Sequence, residues 1–211
     1  MCPIDDGVIK YDRSQFELSN ALNDDEFREL EKWRKTLYNL KLIGEYLPER
    51  IGYGNLSQKF DYSEQHSSEK PQFLITGTQT GSLPELNGEG YTRVLDFSFE
   101  KWSVKVKGPL EASSEALTHA AIYQANEKIK CVFHIHDKNI WQAMKDNNYA
   151  STPASIPYGT KEMADSVIAC VGSTTQGLIV MKGHEDGVIS YASTLDQAGK
   201  LLLGVYDKFA R

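Results

Sequence analysis

The chain has 211 residues, 40% hydrophobic and 25% charged, which is enough to bury one substantial core and ordinary for a globular domain. Its formal charge of −6, with Lys and Arg scattered along the sequence, argues against a nonspecific nucleic-acid binder and leaves room only for a local cationic pocket. Cys2, Cys131 and Cys170 make no CxxC pair or disulfide framework, and neither a basic-then-apolar leader nor a membrane-length apolar run is present; a reducing cytoplasm with no membrane partner is expected.

Residues 1–22 are polar with weak periodicity and read as a loosely docked arm ahead of one domain spanning 23–211. Asn23 or Asp24 caps a helix whose first turn carries Asp24, Asp25 and Glu26, and Phe27, Leu30, Trp33, Leu37 and Leu40 give it one apolar face. Gly44 and Pro48 are expected to stop it. Short strands and turns follow from Ile51 to about Lys107: a glycine-rich approach at 52–57, a strand at 73–76 running into Gly77-Thr78-Gln79-Thr80-Gly81, and a pair at 94–97 and 104–107. Residues 62–71 read as a surface loop. A helix is predicted around 117–123, an apolar strand at 129–133, a short helix at 140–144 and another at 161–171. Strands at 178–181 and 188–191 precede a final amphipathic helix marked by Leu195, Ala198, Leu201, Leu202, Val205 and Phe209. Helices at both ends and in the middle of a strand-rich chain indicate a layered α/β domain.

The run Phe133-His134-Ile135-His136-Asp137 carries the strongest chemical signal. Strand alternation puts His134 and His136 on one face at the strand's C-terminal end, where two imidazoles can share a metal ion. An exposed polar strand terminus is the competing reading. His184 occupies a mirrored position where the 178–181 strand meets its loop, and it reads either as a third ligand or as a turn residue; His66 lies in a polar loop and is a poor candidate. Ser113-Ser114-Glu115 opens a helix, where free N–H groups attract anions, although simple capping also explains these residues. His119, one turn later, either orients Glu115 or is a half-buried histidine bonded to backbone. The glycines around Asn55 and in 77–81 permit close backbone approach to a ligand but fit neither a P-loop nor a dinucleotide pattern.

Taken in order, Gly-Asn-Leu-Ser at 54–57, Ile-Thr-Gly-Thr-Gln-Thr-Gly at 75–81, the Ser-Ser-Glu helix start within 112–123, Phe-His-Ile-His-Asp at 133–137 and the His184 segment at 182–192 resemble the class II aldolase/adducin family. That family includes fuculose-phosphate aldolase and ribulose-phosphate 4-epimerase, and this chain is similar to it as a divergent member. The resemblance covers nearly the whole chain. It implies a single-domain three-layer α/β/α sandwich around a mixed, largely antiparallel sheet, a homotetramer, and one divalent metal per chain held by His134, His136 and His184. Zinc is the expected metal, with manganese, cobalt and iron as alternatives. Glu115 matches the catalytic acid/base, and Asn55, Ser113 and Ser114 match contacts to substrate phosphate. The family's threonine loop is a shorter T-x-T-G, so Thr76, Thr78, Thr80 and Gly81 compete for the anion-contacting role here.

The activity so implied is metal-dependent aldol cleavage of a small hydroxy-carbonyl substrate, expected to be a sugar phosphate, through a metal-stabilised enediolate with Glu115 moving the proton. Epimerase, dehydratase or decarboxylase chemistry on the same site is the alternative, with a non-catalytic adducin-like interaction domain as the contrasting class; the three histidines and Glu115 argue against the last. Several positions depart from the pattern. Glu185-Asp186 intervene between His184 and Gly187, Asp137 follows the second histidine, and Ala112 precedes Ser-Ser-Glu where proline is common. The C-terminal tail that supplies a tyrosine in such enzymes is missing, and Tyr158 is the candidate replacement proton donor or else an ordinary loop aromatic.

Overall fold

The computed structural model describes residues 7–60 and 70–210; most of the expected 62–71 loop, His66 and Cys2 lie outside them. In chain order the elements are β1 (Phe16–Leu18), α1 (Asp24–Asn39), β2 (Gly44–Tyr46), β3 (Ile51–Tyr53), β4 (Asn55–Lys59), β5 (Phe73–Thr76), β6 (Tyr91–Ser98), β7 (Ser103–Gly108), α2 (Ala116–Ala125), β8 (Cys131–His136), α3 (Lys138–Asp146), β9 (Ser151–Thr152), α4 (Lys161–Val171), β10 (Gly177–Met181), β11 (Gly187–Ala192) and α5 (Leu195–Phe209). The described strands form one large sheet in the order β1-β7-β6-β5-β4-β8-β11-β10-β9, with β2 and β3 as a separate hairpin. Among them only the outermost pairs, β1 with β7 and β9 with β10, are parallel; the interior pairs are antiparallel.

Helices cover both faces of this sheet. Along β8, Cys131, Phe133 and Ile135 pack with the apolar stripes of α1, α3 and α5, while Val132 joins the core beneath α2 and α4. Two-residue alternation therefore assigns the opposite faces of one strand to two cores, and the expected α/β/α sandwich is the observed architecture. Central position explains why every residue of β8 is buried.

Three segments differ from the sequence reading. The described part of the N-terminal segment is tied down: β1 hydrogen-bonds to β7, Leu22 enters the core, and the Tyr11 hydroxyl donates 2.9 Å to the Ala112 carbonyl. Its weak periodicity reflects a short edge strand exposed on most of its surface. Helix α1 ends at Asn39, ahead of Gly44, because Lys41 takes a left-handed conformation (φ 62°) and turns the chain. Gly44 and Pro48 instead bracket the start of the β2–β3 hairpin region. Strand β9 was hidden in a segment rich in Asn, Ser and Pro, and two residues are too few for any period to register.

The topology gathers functional side chains at one end of the sheet. The C-terminus of β8 lies between the N-termini of β4 and β11, so Asn55 pairs in register with His134 and Gly187 with His136. Strand β5 ends at Thr76 on the same side, β10 leads there into His184, and α2 begins there just after Glu115.

Candidate metal centre and surrounding cavity

His134 and His136 point from the same face of β8, and the 182–186 turn brings His184 to them. The candidate ligand nitrogens of the three rings lie within 4.8 Å of one another, and all three residues are buried. Asp186 adopts φ 63° in that turn, and the Gly187 N–H donates 3.0 Å to the His184 carbonyl. The two acidic residues after His184 thus complete a tight turn that aims the ring inward.

Each strand histidine is fixed through its outer nitrogen. His134 Nδ1 is 3.2 Å from the Val188 carbonyl, which requires that nitrogen to be the donor and turns Nε2 inward. His136 Nδ1 is 2.6 Å from the Tyr46 hydroxyl. The two inner Nε2 atoms then face each other at 2.9 Å. Burial, with His184 and His134 beside it, pushes His136 well below the ordinary histidine value, so it is held in the neutral, electron-donating form. Three buried rings whose inner nitrogens converge are a donor set suited to a divalent cation, and orientation of such rings by backbone and phenol is typical support for one.

Glu115 closes the group. Its Oε2 is 2.9 Å from His134 Nε2 and receives a long 3.4 Å contact from the Asn55 amide, while Oε1 lies 3.4 Å from His184 Nδ1 and accepts no hydrogen bond among the described residues. Burial opposes its ionisation, but the neighbouring His134 and His184 outweigh that and hold its carboxyl well below the usual range. A desolvated carboxylate with one uncommitted oxygen is equipped to carry a proton.

Behind Glu115, His119 is fully buried rather than half-buried, with Nδ1 2.6 Å from Ser57 Oγ, which lies in turn 2.6 Å from the Tyr123 hydroxyl. Burial pushes His119 down to about 3 against the pull of Glu115, so the ring is neutral. Its bond runs to a side chain of β4 and not to backbone.

One small cavity of about 30 Å³ is lined by Asn55, Thr80, Gly81, Ser113, Ser114, Glu115, Tyr158 and the three histidines, together with Gly7, Gly52, Tyr53, Gly54, Gly77, Thr78 and Gln79. Gly54 allows the approach at its floor: with φ +80°, an added Cβ would sit 2.8 Å from Ile43 Cγ1 and 3.2 Å from the His134 carbonyl. Nearly all the residues singled out in the sequence meet here. Thr76 does not; its hydroxyl accepts the Leu56 N–H at 3.3 Å within the sheet. Thr80 reaches the wall, but its hydroxyl donates 2.8 Å to the Gly77 carbonyl of its own loop. Tyr158 stacks on the His184 ring with centroids 4.6 Å apart, and Lys10 Nζ sits 3.7 Å above the Tyr158 ring. Asp137 serves as the α3 N-cap, accepting the Ile140 N–H at 2.8 Å. Tyr46, Tyr53 and Gln79 went unrecognised as site residues, because their roles depend on contacts that no local motif encodes.

Sequence comparison decides the family. The Class II Aldolase and Adducin N-terminal domain family matches residues 48–207. The chain belongs to this family. No curated protein matched its sequence in a direct search. Among solved structures, a sugar-phosphate aldolase from Thermotoga maritima is similar at a TM-score of 0.66 and 14% identity, over 87% of this chain and 91% of that one. L-fuculose-1-phosphate aldolase from Thermus thermophilus gives 0.60 and 16%, over 88% and 91%. YgbL from Escherichia coli, a candidate aldolase, epimerase or decarboxylase, gives 0.63 and 15%, over 85% and 84%. At these identities the class II aldolase fold is what is shared. No helix among the described residues is long and apolar enough to cross a membrane.

Proposed function

We propose that this chain is a metal-dependent lyase that cleaves a small hydroxy-carbonyl compound by retro-aldol chemistry. The observation that carries the reading is the position of the Glu115 carboxylate against a buried group of three histidines, 2.9 Å from His134 Nε2. His134, His136 and His184 would hold a divalent cation, zinc being the best fit to three imidazoles. When bound there, such an ion supplies Lewis acidity to the carbonyl and adjacent hydroxyl oxygens of a substrate.

The protein's own groups do the rest. Glu115, through its uncommitted Oε1, delivers a proton to the carbon released when the carbon–carbon bond breaks and removes it in the reverse direction. Tyr158, stacked on His184 at the cavity wall, exchanges the proton of the hydroxyl oxygen that becomes the aldehyde. Asn55 braces Glu115, and Ser113, Ser114 and Gly81 line the far wall where the remote end of the substrate is positioned. By its resemblance to cyclic tetrameric enzymes, the 23.7 kDa chain is assigned to a cytoplasmic homotetramer.

The test joins metal content to turnover. Purified protein is expected to carry about one divalent ion per chain, lost in His134→Ala. Glu115→Gln should retain the ion and lose at least about 100-fold in aldehyde release. Metal retention with undiminished turnover in that variant would remove Glu115 from the chemistry, and a rearranged sugar or carbon dioxide in place of an aldehyde would redirect the reading to epimerase or decarboxylase.

A further inference from the structure

The N-terminal segment supplies none of the motifs that mark the site, yet it touches the site at three places. Gly7 lines the cavity and packs against the 77–81 loop, where an added Cβ would lie 1.9 Å from Gln79 Nε2. The Tyr11 hydroxyl donates to the Ala112 carbonyl at 2.9 Å and lies 3.3 Å from the Ser113 carbonyl, two residues ahead of Glu115. Between these two contacts, Lys10 reaches Tyr158. Its Nζ donates to the Tyr158 carbonyl at 3.3 Å and sits over the ring, 3.7 Å from the centroid. Gly159 makes room for this reach: it has φ +70°, and an added Cβ would lie 3.0 Å from Lys10 Cδ.

Fastening the segment to the domain does not require that lysine. Ile9 packs against the core beneath α2 and α4, and Tyr11 is buried in it. The Asp12 N–H donates 2.8 Å to the Trp102 carbonyl, and the Asp12 carbonyl accepts the Val104 N–H at 3.3 Å. Tyr158, by contrast, comes from the irregular connection at 153–160, between β9 and α4. It is only 3% exposed, and its ring stacks on His184 with planes 24° apart. One ammonium that grips both the backbone and the ring face of Tyr158 limits how far that ring can slide across the imidazole. A cation held over an aromatic face away from open water attracts it more strongly than an exposed one does.

We propose that Lys10 is a positioning residue that holds Tyr158 against His184, so that the tyrosine is presented in one place relative to the three histidines. The proposal deepens the lyase reading: the effect on turnover rests on that reading, while the effect on ring geometry does not.

The test uses the zinc-loaded full-length protein with two substitutions. Lys10→Met keeps most of the stem and removes the ammonium, whereas Lys10→Arg keeps a cation that can stack and donate. The ring-proton resonance of His184, shielded by the stacked phenol, is followed by NMR. It is expected to shift in Lys10→Met and to stay near its wild-type position in Lys10→Arg. An unmoved signal in Lys10→Met overturns the proposal. Aldehyde release is then measured. In Lys10→Met, kcat should fall at least about tenfold with KM within about twofold, and Lys10→Arg should keep most of the wild-type rate. In a Tyr158→Phe background Lys10→Met should cost nothing more, because no hydroxyl is left to position. Losses that add in the double variant would show Lys10 acting elsewhere and would also overturn it. Undiminished kcat in Lys10→Met sinks the inference and leaves the lyase reading intact. Absence of aldehyde from the wild type, with the His184 shift as expected, sinks the lyase reading and leaves the positioning role standing.

Discussion

His136 shows how much of the site rests on single contacts. Its inner nitrogen is useful only if the outer one is held, and the Tyr46 hydroxyl does this at 2.6 Å from a hairpin 90 residues away. His134 gets the same service from the Val188 carbonyl, which no side-chain substitution can remove. Tyr46→Phe therefore isolates one ring's support while sparing the other. Zinc affinity, measured by competition with a chromogenic chelator, should fall by about 10- to 100-fold, the usual loss when a ligand's outer partner is removed. An affinity within about twofold of the wild type would mean that the phenol does not orient His136. Alternation places His134 and His136 on one face, whereas His184 at its strand end reads equally as a turn residue and joins them only through the family resemblance. Tyr46 could not be read from the sequence, because it reaches His136 across a chain separation that leaves no local pattern. Asp137, which follows His136 directly, is engaged as the cap of α3.

Helix α1 presents the same contrast at the level of an element. Its apolar stripe was evident in Phe27, Leu30 and Leu37, all of which are buried. Glu31 and Arg34 look like the solvated face of such a helix, yet Arg34 is only 1% exposed. Glu31 accepts Arg34 Nε at 2.7 Å, the Tyr91 hydroxyl at 2.5 Å and the Leu86 N–H at 3.0 Å, while Arg34 Nη1 donates 2.9 Å to the Leu83 carbonyl. This pair fastens α1 to the 82–91 segment that feeds β6. Spacing of charges cannot distinguish that arrangement from a surface ion pair, because the burying partners come from residues about 50 to 60 positions later. Arg34→Leu leaves Glu31 buried and unpaired and should cost about 3–5 kcal/mol in denaturant unfolding, whereas adding Glu31→Met should recover part of that loss. Equal destabilisation in the single and double variants would show that packing volume, not the unpaired carboxylate, sets the cost.

For the molecule as a whole, the layered α/β class followed from the alternation of strand and helix periods, but strand order did not. The adjacency of β4 and β8, which puts Asn55 beside His134, joins segments far apart in sequence through a long excursion across the sheet. That adjacency also makes the centre a cross-link among β4, β8, the β10–β11 turn and the start of α2. An ion bound by the native centre and not by the unfolded chain must therefore stabilise the entire domain. At a free concentration about 100 times its Kd it adds about 2.7 kcal/mol, which for a domain of this size raises Tm by about 5–10 °C. Calorimetric scans of the wild type with zinc and with excess chelator should differ by that amount. The difference should vanish in His184→Ala, whatever that substitution does to the metal-free Tm, because the metal-linked increment requires the third ring. A metal-dependent shift that persists undiminished in His184→Ala would place the ion elsewhere, and the convergence of strand ends at this edge of the sheet would need another explanation.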